Sequence, residues 1–517
     1  MGLYSDNDED YANTSLAFTV PPPSLRTIPP PPMNQRSQRP GGGQPVPQKR
    51  AWQEERPRVR IPVEVVAGDR RNLDTLTNSQ PLPWESKDTV PPWTQVTVLD
   101  KPDAFDVEPF INTDLLQFVQ TLRTRVHGLD HATVAQAREL VTPALRLGRS
   151  VFCDRRAVEF AALDYLFALL SPRNPQENTF YFIECNGGPG GISDFILWRK
   201  QVSRQQIHGW GVGLGRGECS EFTPQRFYSR STAKDHYSVS SASQCDQGWY
   251  DMVDRCGQDI DRTTVGQGVH LAVVHLAPAR GETPSLTYAI FLAQIQWALM
   301  TLRQEGHLIL RLTRPDNALT ISLFYILNQL FGDLNINVPP PCDPTHEVRY
   351  LVARHMRCPR PFGIEELLTR AIHTLLENSA LDPNQLTLVN HDKLVQDLEF
   401  TRYLDRTNTK CTSQQLKALQ SVSKYVIDGE PIAVPYDPHE VCTTCAQSWQ
   451  LPVPRDEYRP SSRYAHNSGS SRGRHGAPSA TTNVEDHRKH PRQRYGQSES
   501  SGNRSFLDQI LNDMPRK

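Results

Sequence analysis

The stretch Thr179-Phe-Tyr-Phe-Ile-Glu-Cys-Asn-Gly-Gly-Pro-Gly-Gly-Ile192 constrains this chain more than any other. A β-branched and aromatic run stops abruptly in Gly187, Gly188, Pro189, Gly190 and Gly191, and a helical pattern, Ser193-Asp-Phe-Ile-Leu-Trp198, follows at once. In a parallel α/β sheet, a strand that ends in glycines and feeds a helix begins a nucleotide-type site. The glycines let the backbone turn sharply and approach a ligand, and the helix presents free N–H groups. The sequence contains neither Gly-Lys-Ser/Thr nor G-x-G-x-x-G, so the P-loop and dinucleotide classes fit less well.

The neighbouring pattern agrees with such a sheet. Strand 179–184 is followed by helix 191–200, strand His208-Gly-Trp-Gly-Val-Gly-Leu214, an irregular polar insertion at 215–265, and strand Val269-His-Leu-Ala-Val-Val-His275. Next come an apolar helix at 285–303, strand His307-Leu-Ile-Leu-Arg-Leu312, helix 318–331 and strand Arg349-Tyr-Leu-Val-Ala353. Alternation of this kind implies a mostly parallel sheet with helices on both faces and a ligand at the carboxyl ends of the strands. Upstream, 105–148 reads as helical, and 151–170 as a strong helix that stops at Ser171-Pro172. Downstream, helices are expected at 364–376, 392–403 and 413–426.

Only 37% of residues are hydrophobic and 42 are proline, so one substantial core with unstructured ends is expected from 517 residues. Residues 1–80 form a Pro-rich tail, 81–148 a helical lead-in, 149–360 the sheet domain and 361–454 a helical extension. Residues 455–517 form a Ser/Arg/His tail. Tryptophans in Pro81-Leu-Pro-Trp84 and Pro91-Pro-Trp93 are expected to lie against the domain surface. The Pro-rich tail reads as a plain flexible tail or as a ligand for a proline-recognition module, and Phe506, Leu507, Ile510, Leu511 and Met514 give the end an apolar face that either docks in a partner groove or frays without function. Net charge is −1, which argues against a general polyanion binder, although the arginines of the C-terminal tail could meet phosphates loosely. No run of about 18 apolar residues suggests a membrane span. The acidic start lacks a signal-peptide core, and ten scattered cysteines suit a reducing compartment. An intracellular protein is expected, the nucleus ahead of the cytoplasm, with the mildly basic 48–60 as a weak import signal.

Taken together these residues resemble the eukaryotic mRNA cap-1 ribose 2'-O-methyltransferases of the FtsJ/RrmJ superfamily, over roughly residues 100–450. Glu184-Cys-Asn-Gly-Gly-Pro-Gly-Gly191 is similar to the family's Asp-x-Cys-Ala-Gly-Pro-Gly-Gly cofactor loop, and Phe152-Cys-Asp-Arg-Arg-Ala157 to its Phe-Leu-Asn-Arg-Ala-Ala helix start. Phe227-Tyr-Ser229, Gln258-Asp259-Ile260, Gly268-Val-His270, Ala298 to Arg303, Gly306-His307, Arg349-Tyr350, Leu398 to Tyr403 and Gln414 to Leu419 recur in the family's order. The resemblance implies a Rossmann-like S-adenosylmethionine methyltransferase sheet with helical N- and C-terminal extensions and disordered ends. It also implies that Glu184, Asn186, Gly187, Gly188, Pro189, Gly190, Gly191 and Ile192 hold the cofactor, with Asp259 near its adenosine. RNA, capped mRNA in particular, is the implied substrate, with Arg155 and Arg156 on the RNA side.

The same resemblance locates a Lys-Asp-Lys-Glu catalytic tetrad, and each position is substituted. The lysines fall on Glu159 and Arg311, the aspartate on His275 and the glutamate on Val348, with Glu347 one residue away. Arginine does not give up its proton at working pH, and histidine is the one replacement with acid–base capacity near neutrality. A rewired transferase using Glu159 or His275 competes with a pseudoenzyme that works by binding, and with a scaffold that has lost both ligands. The pseudoenzyme is preferred because tetrad members act as a unit. Cys442-Thr-Thr-Cys445 has only His439 nearby, short of the four ligands a structural zinc needs, and is read as two surface thiols with no metal.

Overall fold

The computed structural model describes residues 61–78, 91–171, 177–214, 218–241, 249–279, 281–313 and 316–452. Residues 1–60 of the Pro-rich tail, Trp84 and the 505–514 segment lie outside them, whereas 61–78, expected to be unstructured, fold into the domain, with Leu76 and Thr77 paired to the strand at 331–337.

The chain begins with α1 (Val63–Val66), β1 (Leu76–Thr77) and β2 (Thr94–Val98), then α2 (Thr113–His127), α3 (His131–Val141) and α4 (Arg156–Phe167). The alternating part comprises β3 (Thr179–Cys185), α5 (Gly191–Val202), β4 (Gln206–Gly213), α6 (Arg230–His236), β5 (Tyr237–Ser241) and α7 (Trp249–Thr264). It continues through β6 (Val269–His275), α8 (Pro284–Thr301), β7 (Leu302–Leu312), α9 (Ala318–Leu330), β8 (Phe331–Asn337) and β9 (Arg349–Met356). The extension holds α10 (Ile364–Glu377), β10 (Leu386–Val389), α11 (His391–Gln396), α12 (Leu398–Ser423) and α13 (Pro438–Ser448).

Eight strands form one sheet in the order β1-β8-β9-β7-β6-β3-β4-β5. The strands β7-β6-β3-β4-β5 are mutually parallel, whereas β9 runs antiparallel to both neighbours and β1 to β8. The strand order reverses at β3, where β4 lies on one side and β6 on the other, and a crevice at the carboxyl ends opens at such a point. Side chains alternate across β3. Phe180 and Phe182 join a core with α4, α5 and α13, and Ile183 and Cys185 join the opposite core with α7 to α10 and α12. Helices α8 and α9 are apolar nearly all round because the sheet covers one side and the C-terminal extension another. Thr283 and Asn317 cap them, their side chains accepting from Leu286 N and Thr320 N.

Several sequence expectations change. The insertion read as irregular holds the edge strand β5 and the 16-residue α7, whose inward row Met252, Cys256 and Ile260 is too sparse to stand out from its polar surroundings. Strand β8 continues directly from α9. The helices read as 392–403 and 413–426 resolve instead into the short α11 and the single 26-residue α12. Its apolar stripe lapses where Asn408 and Thr412 turn inward to accept hydrogen bonds from the buried Arg349 guanidinium, at 2.7 and 3.0 Å. β2 and β10 pair in a second, two-stranded sheet. Trp93 packs edge-on to Tyr325 with ring centroids 5.3 Å apart, as its expected place against the domain requires. The thiols of Cys442 and Cys445 are buried rather than on the surface. They sit on α13 against Pro143 and Val66, and among the described residues no cluster suits a metal ion. No described helix is long and apolar enough to cross a membrane.

Arg349 is the polar bolt between β9 and α12. Arg349→Met strips two buried side-chain acceptors of their donor and is expected to cost about 2–3 kcal/mol, read as a lowered urea midpoint.

Candidate active site

Glu184 is the penultimate residue of β3 and has no exposed surface. One carboxylate oxygen accepts from Ser193 N and Ser193 Oγ at the first turn of α5, at 2.9 and 2.5 Å, and the other lies 3.2 Å from His275 Nε2 at the end of β6. Burial raises the Glu184 carboxyl to about 7 against the pull of Ser193. Burial, reinforced by Arg156 and Arg311, holds His275 well below its ordinary value. The imidazole is therefore neutral, and its Nδ1 has no hydrogen-bond partner.

The row continues across the sheet. His275 is in register with Arg311 on β7, and Arg311 with Tyr350 on β9. Helix α4 lays Glu159 over this row with 3% of its surface exposed. The Tyr350 hydroxyl donates to Glu159 at 2.5 Å, and the guanidinium groups of Arg311 and Arg155 each approach that carboxylate to 3.5 Å. Burial and the Glu159 charge push the Tyr350 phenol well up, so it remains a donor. Three tetrad-equivalent positions, Glu159, His275 and Arg311, thus stand in one buried cluster. Val348 is a half-buried apolar contact, and Glu347 is drawn to Arg123 on α2 at 2.5 Å.

The glycine loop sits beside this cluster. Arg156 forks onto Asp154 at 3.2 and 2.8 Å and also donates to the Gly188 carbonyl, while Gly191 N donates to Asp154 at 3.0 Å. Arg155 donates to the Pro341 carbonyl and keeps 34% of its side chain exposed. Asn186, at φ 50°, accepts from Leu214 N at 2.8 Å and so ties the loop to the end of β4. Gly188 N donates to Cys219 O, Gly190 N to Gly187 O, and Thr223 N to the Pro189 carbonyl. Ile192 is fully buried in the core beneath. Asp259 stands apart, on α7 against the opposite face of the sheet, where it accepts from Trp210 Nε1 at 2.9 Å and lines a cleft of about 350 Å³ with Ser238, Ser240 and Cys256.

Sequence reasoning passed over Asp154, Ser193 and Tyr350 as working parts of this cluster, and over the packing role of residues 218–227. A signal for the last lay in Gly209-x-Gly211-x-Gly213, which at a period of two marks one strand face with no Cβ at all.

Glu159→Lys would place an ammonium between two guanidinium groups and is expected to cost about 3–5 kcal/mol in chemical denaturation, with a loss under about 1 kcal/mol speaking against the ion cluster. The Glu184–His275 pair makes a second prediction. His275, depressed in the folded state, contributes stability that is full above its ordinary 6.5 and lost as pH falls. Glu184, raised from 4.5 to about 7, acts in the opposite sense, gaining stability as pH falls through 7. Between those values the two slopes oppose each other. Glu184→Gln removes the compensation, so the variant's stability should fall below wild type by up to about 1.4 kcal/mol per pH unit from pH 6.5 towards 5. Melting series of both proteins at pH 7, 6 and 5 measure it, and a pH-independent difference would overturn it.

The FtsJ-like methyltransferase family matches residues 155–356, which contain both the glycine loop and the tetrad-equivalent positions. Cap-specific mRNA (nucleoside-2'-O-)-methyltransferase 1 of Drosophila melanogaster is 25% identical over 359 residues, covering 65% of this chain and 44% of its own length. Its Dictyostelium discoideum counterpart is 24% identical over 66% of this chain and 46% of its own. The inactive cap-specific mRNA (nucleoside-2'-O-)-methyltransferase 1B of Caenorhabditis briggsae is 22% identical over 63% and 41%. The chain spans less than half the length of these relatives. Residues 155–356 form an FtsJ-like methyltransferase domain, and the chain is a divergent homologue, at modest identity, of the cap-specific mRNA 2'-O-methyltransferases 1 of eukaryotes.

Proposed function

We propose that this protein is a non-catalytic relative of the cap ribose methyltransferases, which binds RNA, capped mRNA by kinship, without methylating it. One observation carries the loss of catalysis. The buried carboxylate that stands in the first lysine position is closed off by the Tyr350 hydroxyl and two guanidinium groups. Ribose 2'-O-methylation needs a group that takes or orients the hydroxyl proton as the oxygen attacks the methyl. Arg311 does not release a proton, Val348 offers no polar atom, and Glu159 has its carboxylate already engaged. His275 is neutral and retains an unpartnered Nδ1, but it is 1% exposed and its other nitrogen is turned to Glu184. On the RNA side the reading assigns phosphate contact to Arg155, the partly exposed guanidinium at the head of α4. The nucleus is the proposed place of action. The Pro-rich residues 1–60 and the 505–514 segment are the proposed contacts for protein partners.

Full-length protein incubated with methyl-labelled S-adenosylmethionine and cap-0 RNA is expected to transfer no label above blank, and label recovered in the ribose of the first transcribed nucleotide would overturn the reading. In fluorescence anisotropy a capped oligonucleotide is expected to bind with an affinity that falls steeply with salt and is weakened by Arg155→Ala. No binding at low salt would remove the RNA half of the proposal.

A further inference from the structure

The glycines that make the loop look like a ligand cradle all face the chain's own atoms. A Cβ at Gly188 would meet the carbonyl oxygens of Glu218 and Glu221 at 2.5 and 2.6 Å. At Gly190 it would meet the Phe227 ring at 2.6 Å, at Gly187 it would strike the Glu184 carboxylate, and at Gly191 it would strike Asp154. The floor extends onto β4. Gly213 lies under the Ser220 backbone, Gly211 under the Phe222 ring and the Tyr237 hydroxyl, and Gly209 under the Phe182 ring. Glycine removes Cβ so that something can come close, and at Gly188, Gly190, Gly211 and Gly213 what comes close includes residues of the segment Glu218–Phe227.

That segment is bonded down as well as packed. Gly188 N donates to Cys219 O at 2.8 Å and Thr223 N to Pro189 O at 3.1 Å. The backbone amides of Tyr228 and Ser229, just beyond it, donate to the buried Asp194 of α5 at 2.9 and 3.0 Å. Phe222 and Phe227 pack on the Tyr237 ring, with centroids 6.3 and 5.5 Å away. The amides of Gly188, Gly190 and Gly191, which a carboxylate ligand would seek, are already donating to Cys219, Gly187 and Asp154. The acidic group at the end of β3 faces inward to Ser193 and His275. S-adenosylmethionine does not fit these residues as they stand.

We infer that Glu218–Phe227 is a built-in occupant of the glycine-lined trough, so that this protein does not bind the methyl donor at its glycine loop. The trough is a packing joint between β3, β4 and the strap laid over them. This goes beyond the proposed loss of catalysis, which would hold equally for a protein that bound the donor idly.

The test is calorimetric titration of the full chain with S-adenosylmethionine and, separately, S-adenosylhomocysteine, together with hydrogen exchange at Gly188 and Thr223. The expected result is no saturable heat up to millimolar ligand, and slow exchange of both amides that is unchanged by either compound. One-to-one binding in the micromolar range would overturn the inference, as would fast exchange at these amides that slows on adding ligand. Phe222→Ala, which thins the strap, is a second probe. Donor binding gained by the variant and absent from wild type supports the strap as occupant, whereas equal binding by both overturns it. Binding without methyl transfer defeats this inference alone and leaves the non-catalytic reading standing, whereas transfer defeats both.

Discussion

A carboxylate taken fully out of water must be satisfied where it lies, and at Glu184 that requirement organises the centre of the fold. Desolvating an unpaired charge costs far more than any single contact returns, so the group takes what donors are in reach and holds its proton to a higher pH. The donors here are the first turn of α5 and the end of β6. Three elements, the outer two joined by groups 91 positions apart in sequence, are thereby fixed at the strand crossover. Gly187 must lack a side chain because the same carboxylate occupies that space. The local geometry of the loop is therefore a consequence of where Glu184 points, before any ligand is considered.

The neighbouring ion cluster obeys the same rule. Two guanidinium groups and a phenol converge on Glu159, and a further fork joins Arg156 to Asp154 beneath the loop. Buried ion pairs add little net stability because desolvation offsets their attraction, but breaking one leaves a charge stranded. Such a network resists change and offers little to a substrate, since the Glu159 carboxylate and the Arg156–Asp154 fork are already engaged, although His275 Nδ1 and Arg311 Nε have no hydrogen-bond partner. An active site differs in keeping groups whose needs are met only when the substrate or transition state arrives. Under the proposed non-catalytic reading, the centre of this domain is structural.

How much of this was legible in the sequence depended on whether local pattern or distant contact decided each feature. β3, α5, β6, α8, β7 and α9 were readable because a buried strand and an apolar helix each need an uninterrupted run of suitable side chains. α7 escaped because only one narrow face touches the core. α12 read as two helices because its centre buries Asn408 and Thr412 against an arginine that lies far away in sequence. At the site, the resemblance to cap methyltransferases placed the substituted positions, but no pattern could say that Glu159 would find Tyr350 or that Arg156 would turn under the loop. Those partners come from other strands, and their identity appears only once the sheet is assembled.

The substitutions relative to the Lys-Asp-Lys-Glu pattern also make physical sense as a set rather than singly. Reversing the charge at position 159 puts a carboxylate beside Arg155, and a cation at 311 on the neighbouring strand then becomes favourable, with Tyr350 supplying the remaining donor. A carboxylate kept at 275 would face Glu184 across the gap that His275 now fills, and two buried carboxylates so close could not both ionise. A neutral histidine removes that repulsion. A glutamate at 348 would add another anion near Glu159, whereas Val348 packs into the core and Glu347 finds Arg123 outside it. Residues in one network couple by amounts comparable to their individual effects, so each change lowers the cost of the others. The cluster is coherent as an ion-paired core, and that coherence is what the proposed non-catalytic reading expects of it.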